Sequence, residues 1–484
     1  MDSHSKTDGY RTLWVIAAFG VIAAFLLGSV ERNFDEGVYI QQAKLISTGK
    51  LPFIDFFHHQ SPLYIYILGG WIFMGFESFE SCRLLSLLFT GTAAWMLADI
   101  PRSGGRAGAG PWIAALFLFS PLTRFALMAM PTGLMLFLAV AGFWSFFRGG
   151  RLLLLSAFFF AAALFAKPVV LPALLVPPIL LLLDRRWRDF LLFTCAGIIS
   201  CLVLGGAVWV TSHGAFSELL RGQSARLSTV DAFQVMRTMP LFAEYLNARG
   251  ISSVLEYNSV EHIRNFLTPF PFNPGLLYVL LAAAGAVKLA MTEPRRLLFP
   301  GIWFLLTFVF LLFFMKPSFD HYQVQYLPPL VLLIMEILRP HEDGRWKVLA
   351  VIVIAATITH GAFWRTNNQV PVAQLRASFK TGEVVVALNP LLHAIARTNP
   401  VCDAIDPFNT YGDAVLSGIS RAPAWEKFLI SDAHIINCLR QYPDSRVYLH
   451  PVFHAFAQKP LADFTRNLPE QRRVSEKKTA QRIP

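Results

Sequence analysis

Through the first 364 residues the chain alternates between long apolar runs and short breaks rich in basic residues or proline. The runs fall near 12–30, 81–100, 111–126, 129–147, 152–166, 168–183, 190–211, 273–291, 297–315, 321–338 and 348–364. Hydrocarbon offers no water to an unpaired amide, so a run of this length satisfies its hydrogen bonds internally and is read as a helix. Pro168, Pro172, Pro177 and Pro178 predict kinks and a tight turn at Lys167. Residues 31–80 break the pattern. Within 36–47, Tyr39, Ile40, Ala43 and Ile46 recur at helical spacing, with Gln41, Gln42, Lys44 and Ser47 opposite. That predicts an amphipathic helix in the membrane interface. Beyond residue 364, strand-like runs at 383–388, 401–405 and 446–449 alternate with helical ones, predicting a small α/β domain. The basic end, 471–484, is expected to be disordered.

The expected fold class is an all-α polytopic membrane domain of about eleven transmembrane helices with a small α/β periplasmic domain at the C-terminal end. The membrane domain covers 1–364 and includes outer loops 31–80 and 212–272; the α/β domain covers 365–470 and the tail 471–484. The first run lacks a small-residue cleavage site and is expected to be retained as a helix.

Charge gives the orientation. Lys6 and Arg11, Arg102 and Arg106, Arg148 and Arg151, Arg185, Arg186 and Arg188, Lys288, Arg295 and Arg296, and Arg339, Arg345 and Lys347 all fall in alternate loops. A basic set of short loops marks the cytoplasmic side, so 31–80, Lys167, 212–272, Lys316 and everything beyond 364 lie outside. Only 15% of residues are charged and 55% are hydrophobic, whereas a soluble chain carries about 25% charged residues. The net charge of +11 therefore reflects membrane orientation, and nucleic acid is not an expected partner. The expected location is the inner membrane of a bacterium. Cys82, Cys195 and Cys201 lie in or beside apolar runs and suit packing. Cys402 and Cys438 fall in the polar C-terminal part, where an extracytoplasmic location permits a disulfide without requiring one.

The candidate chemistry begins just past the first run, at Asp35-Glu36-Gly37. Two carboxylates opening a helix have a structural explanation: Asp35 suits an N-cap and Glu36 the positive end of the helix dipole. The wider pattern adds to it. Asp35-Glu36-Gly37-x-Tyr39, then Gly49-x-Leu51-Pro52-Phe53-x-Asp55, then His58-His59-x-x-Pro62-Leu63-Tyr64 resembles the first periplasmic loop of bacterial family-39-type glycosyltransferases of the GT-C superfamily. These are relatives of the dolichyl-phosphate-mannose protein mannosyltransferases and the lipid A aminoarabinose transferase. The likeness continues at Arg83-Leu84 and at Lys316-Pro317-Ser318-Phe319-Asp320-His321-Tyr322, followed by Leu327-Pro328-Pro329.

The resemblance implies a GT-C fold and an inverting transfer of a sugar from a polyprenyl-phosphate donor to a lipid, glycan or protein acceptor at the periplasmic face. It makes Asp35 the base that takes the acceptor's proton, with Glu36 a helper. A phosphate leaves readily, so the second carboxylate that glycosidases need as acid is dispensable. Lys316 matches the family's phosphate-contacting lysine, with Tyr322 as a phenolic donor; Arg83, Lys167 and His321 are further candidates for the donor phosphate. Asp55, His58 and His59 are candidates for acceptor or loop contacts. With Asp35 they offer zinc or manganese donors, but adjacent imidazoles do not readily aim at one ion, and no metal or cofactor is assigned. Many family members carry an acid before a proline in the second outer loop; here that stretch reads Ala129-Met130-Pro131-Thr132. A transporter or flippase of lipid-linked precursors is the alternative. Against it, the sequence has no evident internal repeat and little intramembrane charge.

Overall fold

The structure, a computed structural model, describes residues 3–27, 32–56, 58, 60–100, 109–214, 217, 243, 246–266, 275–315, 318–337, 351, 355, 376–387, 390–400, 431–449, 459–470 and 473–475. Along the chain run α1 (Ser3–Leu26), α2 (Phe34–Ser47), α3 (Leu63–Phe73), α4 (Phe79–Asp99), α5 (Gly110–Leu118), α6 (Thr123–Leu127), α7 (Pro131–Arg148) and α8 (Leu152–Ala166). A short 3-10 turn, Pro168–Val170, leads into α9 (Leu171–Leu183) and α10 (Trp187–Thr211). Then come α11 (Val254–Phe266), α12 (Gly275–Thr292), α13 (Pro294–Val309) and α14 (Leu327–Ile337). The C-terminal part holds β1 (Val384–Val386), α15 (Pro390–Ala396), β2 (Asn399–Pro400), α16 (Asp432–Gln441), β3 (Arg446–Leu449), α17 (Lys459–Arg466) and β4 (Arg473–Ser475).

The protein is a multi-pass membrane protein. Among the described residues, Phe79–Asp99, Pro131–Arg148, Trp187–Thr211, Gly275–Thr292 and Pro294–Phe314 are long and apolar enough to cross a bilayer. Gly9–Ala24, Leu63–Phe73, Leu152–Ala166 and Pro168–Leu183 are shorter apolar helices. Two runs expected as single helices are divided. The run at 111–126 becomes α5 and α6 with a break between, and 321–338 begins as a 3-10 helix, Asp320–Tyr326, before α14. The run at 348–364 lies almost wholly outside the described residues.

Two compact units emerge. One comprises residues 1–31, 83–206 and 254–365; the other comprises 32–82, 207–253 and 366–484. In the first, Phe143 of α7 places its ring 4.9 Å from Phe160 of α8 and 4.3 Å from the fully buried Trp303 of α13. Helices α12 and α14 approach so closely that a Cβ on Gly285 would stand 2.0 Å from the Leu333 carbonyl oxygen. Tyr278 donates its hydroxyl to the Leu116 carbonyl at 2.8 Å, joining α12 to α5. Along α10 the only buried side chain is Phe193.

In the second unit α2 packs against α3 and α15. Residues 36–43 are buried on every side, so the polar positions Gln41 and Gln42 are enclosed along with the apolar ones. Gln42 is enclosed with a partner, His58, whereas the buried Gln41 amide nitrogen has no hydrogen-bond partner among the described residues; at Gly37 the backbone of α15 comes close. The strands form a fully parallel sheet in the order β2-β1-β3-β4. The edge strand β4 falls inside the segment expected to be disordered and pairs Val447 with Arg473. Asp432 of α16 accepts the Leu461 N–H of α17 at 2.8 Å. Cys438 is disulfide-bonded, Cys82, Cys195 and Cys201 are free, and Cys402 lies outside the described residues.

Candidate functional site

The expected residues fall in both units, and each group is built from its own neighbours. In the second unit, α2 starts with a capping box. The Asn33 side chain accepts the Asp35 N–H at 2.9 Å, and the Glu36 carboxylate accepts the Asn33 N–H at 3.0 Å. Asn33, not Asp35, is therefore the N-cap, and the cap explanation for Asp35 does not apply. Asp35 sits half-buried in the first turn, at the helix's positive end. Glu36 is fully buried, and its carboxylate, engaged with the backbone N–H of Asn33, holds the helix start in place.

The loop after α2 is strapped to it. Tyr39 donates its hydroxyl to Gln60 at 2.8 Å, and the His58 Nδ1 lies 2.9 Å from the Gln42 Oε1. His58 is buried, with its ring against Phe53 at 5.7 Å. It braces the loop internally, a loop contact of the kind expected of it. Asp55 is exposed and accepts the Leu51 N–H at 2.8 Å, closing its own turn. His59 lies outside the described residues. Further along, His393 of α15 is fully buried, with Nδ1 2.8 Å from the Thr398 hydroxyl. Burial, and secondly the Lys44 ammonium, push its pKa down to about 3. Burial also lowers the pKa of Lys44.

In the first unit, α8 ends at Ala166 and Lys167 adopts an extended conformation, φ −160° and ψ 116°, as expected of a residue before proline. The Lys167 side chain is buried. Its Nζ lies 3.4 Å from the Thr132 hydroxyl and 4.8 Å from the centre of the Tyr322 ring. Tyr322 packs edge-on against the buried His321 at 4.4 Å, and His321 in turn stacks on Phe319. Lys167, Tyr322 and His321 thus come together with Thr132 into one cationic and aromatic cluster. Arg83 is fully buried and donates to the Leu27 carbonyl at 2.6 Å, fixing α4 to the end of α1. Lys316 lies outside the described residues.

Thr132 and Gln42 were missed by sequence reasoning. Thr132 stands in the stretch flagged for its missing carboxylate and could have been found there; nothing local marks Gln42. Among the described residues no three His, Cys, Asp or Glu side chains converge on a point that could hold a metal ion.

No family model matches the sequence, and no curated protein does. Solved structures do. The crystal structure of ArnT from Cupriavidus metallidurans bound to undecaprenyl phosphate superposes with a TM-score of 0.59 at 13% identity, over 88% of this chain and 90% of that one. The Archaeoglobus fulgidus oligosaccharyltransferase in its apo form gives 0.47 at 13% identity, over 82% of this chain and 65% of that one. Over most of its length the chain shares the fold of ArnT, one of the relatives to which its first outer loop was likened.

Proposed function

We propose that this protein is an inverting membrane glycosyltransferase that moves a sugar from a polyprenyl-phosphate donor to a lipid, glycan or protein acceptor at the outer face of a bacterial inner membrane. The observation that carries the reading is the start of α2 within the fold shared with ArnT: Asn33 and Glu36 complete the cap, and the adjacent Asp35 stays half-buried rather than sealed. ArnT was crystallised with undecaprenyl phosphate, and that carrier class is the donor proposed here. The disulfide at Cys438 supports an oxidising, extracytoplasmic setting for the C-terminal part.

In this reaction the Asp35 carboxylate takes the proton of the acceptor hydroxyl. The acceptor oxygen attacks the anomeric carbon from the face opposite the phosphate, the bond from that carbon to the phosphate oxygen breaks, and polyprenyl phosphate leaves with the electron pair. Proton transfer is late in such a loose transition state, so an ordinary carboxylate suffices. Lys316, Lys167 and Tyr322 are the groups proposed to meet the departing phosphate. About eleven spans and a periplasmic α/β domain complete the proposed topology.

The test is transfer of radiolabel from polyprenyl-phosphate sugars in membranes carrying wild type or Asp35→Asn. The reading requires a new glycosidic bond with wild type and its loss in the variant at equal inserted protein. Movement of the lipid-linked sugar across the membrane without a new bond would instead establish a flippase.

A further inference from the structure

Helix α15 is only seven residues long, yet it is held at both ends. At its start its backbone stands directly against α2. A Cβ on Gly37 would come within 2.0 Å of the Leu391 nitrogen and 2.4 Å of the Pro390 carbonyl carbon. With no side chain in between, nothing compressible absorbs a shift of one helix against the other. Gly37 shares the first turn of α2 with Asp35, so whatever moves α15 moves the backbone that carries the candidate base.

Arg376 secures the other end. The last carbonyls of a helix have no intrahelical donor, and a cation there also suits the negative end of the helix dipole. Arg376 donates its Nε–H to the Ile395 carbonyl at 3.1 Å, in the last turn of α15, and an Nη2–H to the Glu80 carboxylate at 2.7 Å. Glu80 lies in the first turn of α4, 296 residues back along the chain. A looser ion pair, Arg397 with Glu77 at 3.9 Å, runs between the same two stretches. Sealing the end of α15 would need only the Nε bond. The bond to Glu80 reaches a different element, and it makes α15 a strut between the head of α4 and the start of α2.

We propose that Arg376 is a positioning residue for Asp35: by anchoring the far end of α15 to Glu80 it holds the near end against Gly37, and so fixes where the Asp35 carboxylate meets the acceptor hydroxyl. This rests on the reading of Asp35 as the base. A base acts only within hydrogen-bond reach of the proton it takes, and a misplacement of about 1 Å can cost on the order of 100-fold.

The experiment follows transfer of radiolabel from a polyprenyl-phosphate sugar in membranes carrying full-length wild type, Asp35→Asn, Arg376→Ala, Arg376→Lys, Glu80→Gln or the double variant of Arg376→Ala with Glu80→Gln. Each is matched for inserted protein, and hydrogen exchange is read at the amides of 34–40. Arg376→Ala should lower kcat roughly tenfold with the donor KM unchanged, and exchange at 34–40 should quicken. Arg376→Lys keeps the charge but lacks the fork that meets two acceptors at once, so it should recover only part of the loss. Glu80→Gln should cost less than Arg376→Ala and add little to it, because the two act as a unit. A folded Arg376→Ala with wild-type kcat overturns the proposal. So does a raised donor KM at unchanged kcat, or a double variant in which the two losses multiply in full. Should Arg376→Ala fail to insert, Arg376→Lys and Glu80→Gln supply the same comparison. A silent Asp35→Asn beside an unaffected Arg376→Ala removes this proposal alone. Full transfer by Asp35→Asn, or none by wild type, removes the base assignment and this proposal with it.

Discussion

At the start of α2, the hydrogen bonds that set the Asp35 backbone run between residues two and three apart: Asp35 to Asn33, and Asn33 to Glu36. At the end of α8, Lys167 is met instead by Thr132, 35 residues away, and by Tyr322 still farther along the chain. The first arrangement is written into a few consecutive residues and needs only a helix to form. The second exists only after α7, α8 and the 3-10 helix at 320–326 have packed. A local device holds a single carboxylate; a tertiary one shelters a cation that would be costly to bury alone. The difference also separates what substitutions should do at the two places.

The largest effect is expected at the local device. Asp35→Asn should lower transfer by about 100- to 10,000-fold, the range for loss of a general base, with inserted protein and melting temperature unchanged. A smaller loss would mean that Asp35 is only a helix-start residue.

Gly37→Ala probes the limit of the local picture, since the α2 backbone also meets α15. The added Cβ would stand 2.0 Å from the Leu391 nitrogen and 2.4 Å from its Cα. Backbone cannot swing aside, so destabilisation of about 1–3 kcal/mol or more is expected, read as a fall in melting temperature.

Lys167→Met keeps the length and apolar bulk of the side chain but removes the charge. Loss of a desolvated cation–π contact and a phosphate partner should weaken donor use by about tenfold, seen as a raised KM for the polyprenyl-phosphate sugar with little change in kcat. An unchanged KM would reduce the cluster to packing.

The pH dependence of stability offers a fourth measurement. The ordinary pKa of histidine is 6.5, and folding pushes that of His393 down to about 3. The unfolded chain thus takes a proton that the folded one refuses. The stabilisation is complete above pH 6.5 and is lost as pH falls toward 3, by up to about 1.4 kcal/mol per pH unit. Acid unfolding of His393→Gln, followed alongside wild type, should show a shallower slope in that window. The smallest effect is expected of Glu36→Gln, which retains an oxygen for the Asn33 N–H: activity should stay within a few-fold, since capping interactions are worth about 1 kcal/mol. A large loss would return Glu36 to the chemistry.

The same division explains what could be read in advance. Apolar runs at 81–100, 129–147 and 190–211 are long and continuous, and α4, α7 and α10 follow them closely. The strands at 384–386 and 446–449 and the turn at Lys167 were legible because β-branched alternation and proline act locally. The single helix expected over 321–338 failed because hydrophobicity does not reveal whether the backbone takes α or 3-10 turns. The sealed position of Gln42 failed because a glutamine looks solvent-exposed until its partner, here His58, is known. The bonds that Asn258 of α11 makes to the Leu311, Leu312 and Met315 carbonyls and the Ser318 N–H were invisible for a related reason: one polar residue on an amphipathic helix carries no hint of backbone groups more than 50 residues distant.

Helix α10 has a consequence of another kind. Leu191, Ile198, Ile199, Leu202, Val203 and Val210 are exposed around it, and Phe193 alone is buried. Such a segment is solvated by acyl chains and is required to match their thickness rather than any neighbour's shape. Exchanges among leucine, isoleucine and valine there should pass almost unnoticed, whereas shortening the segment, or placing an ion halfway along it, would not.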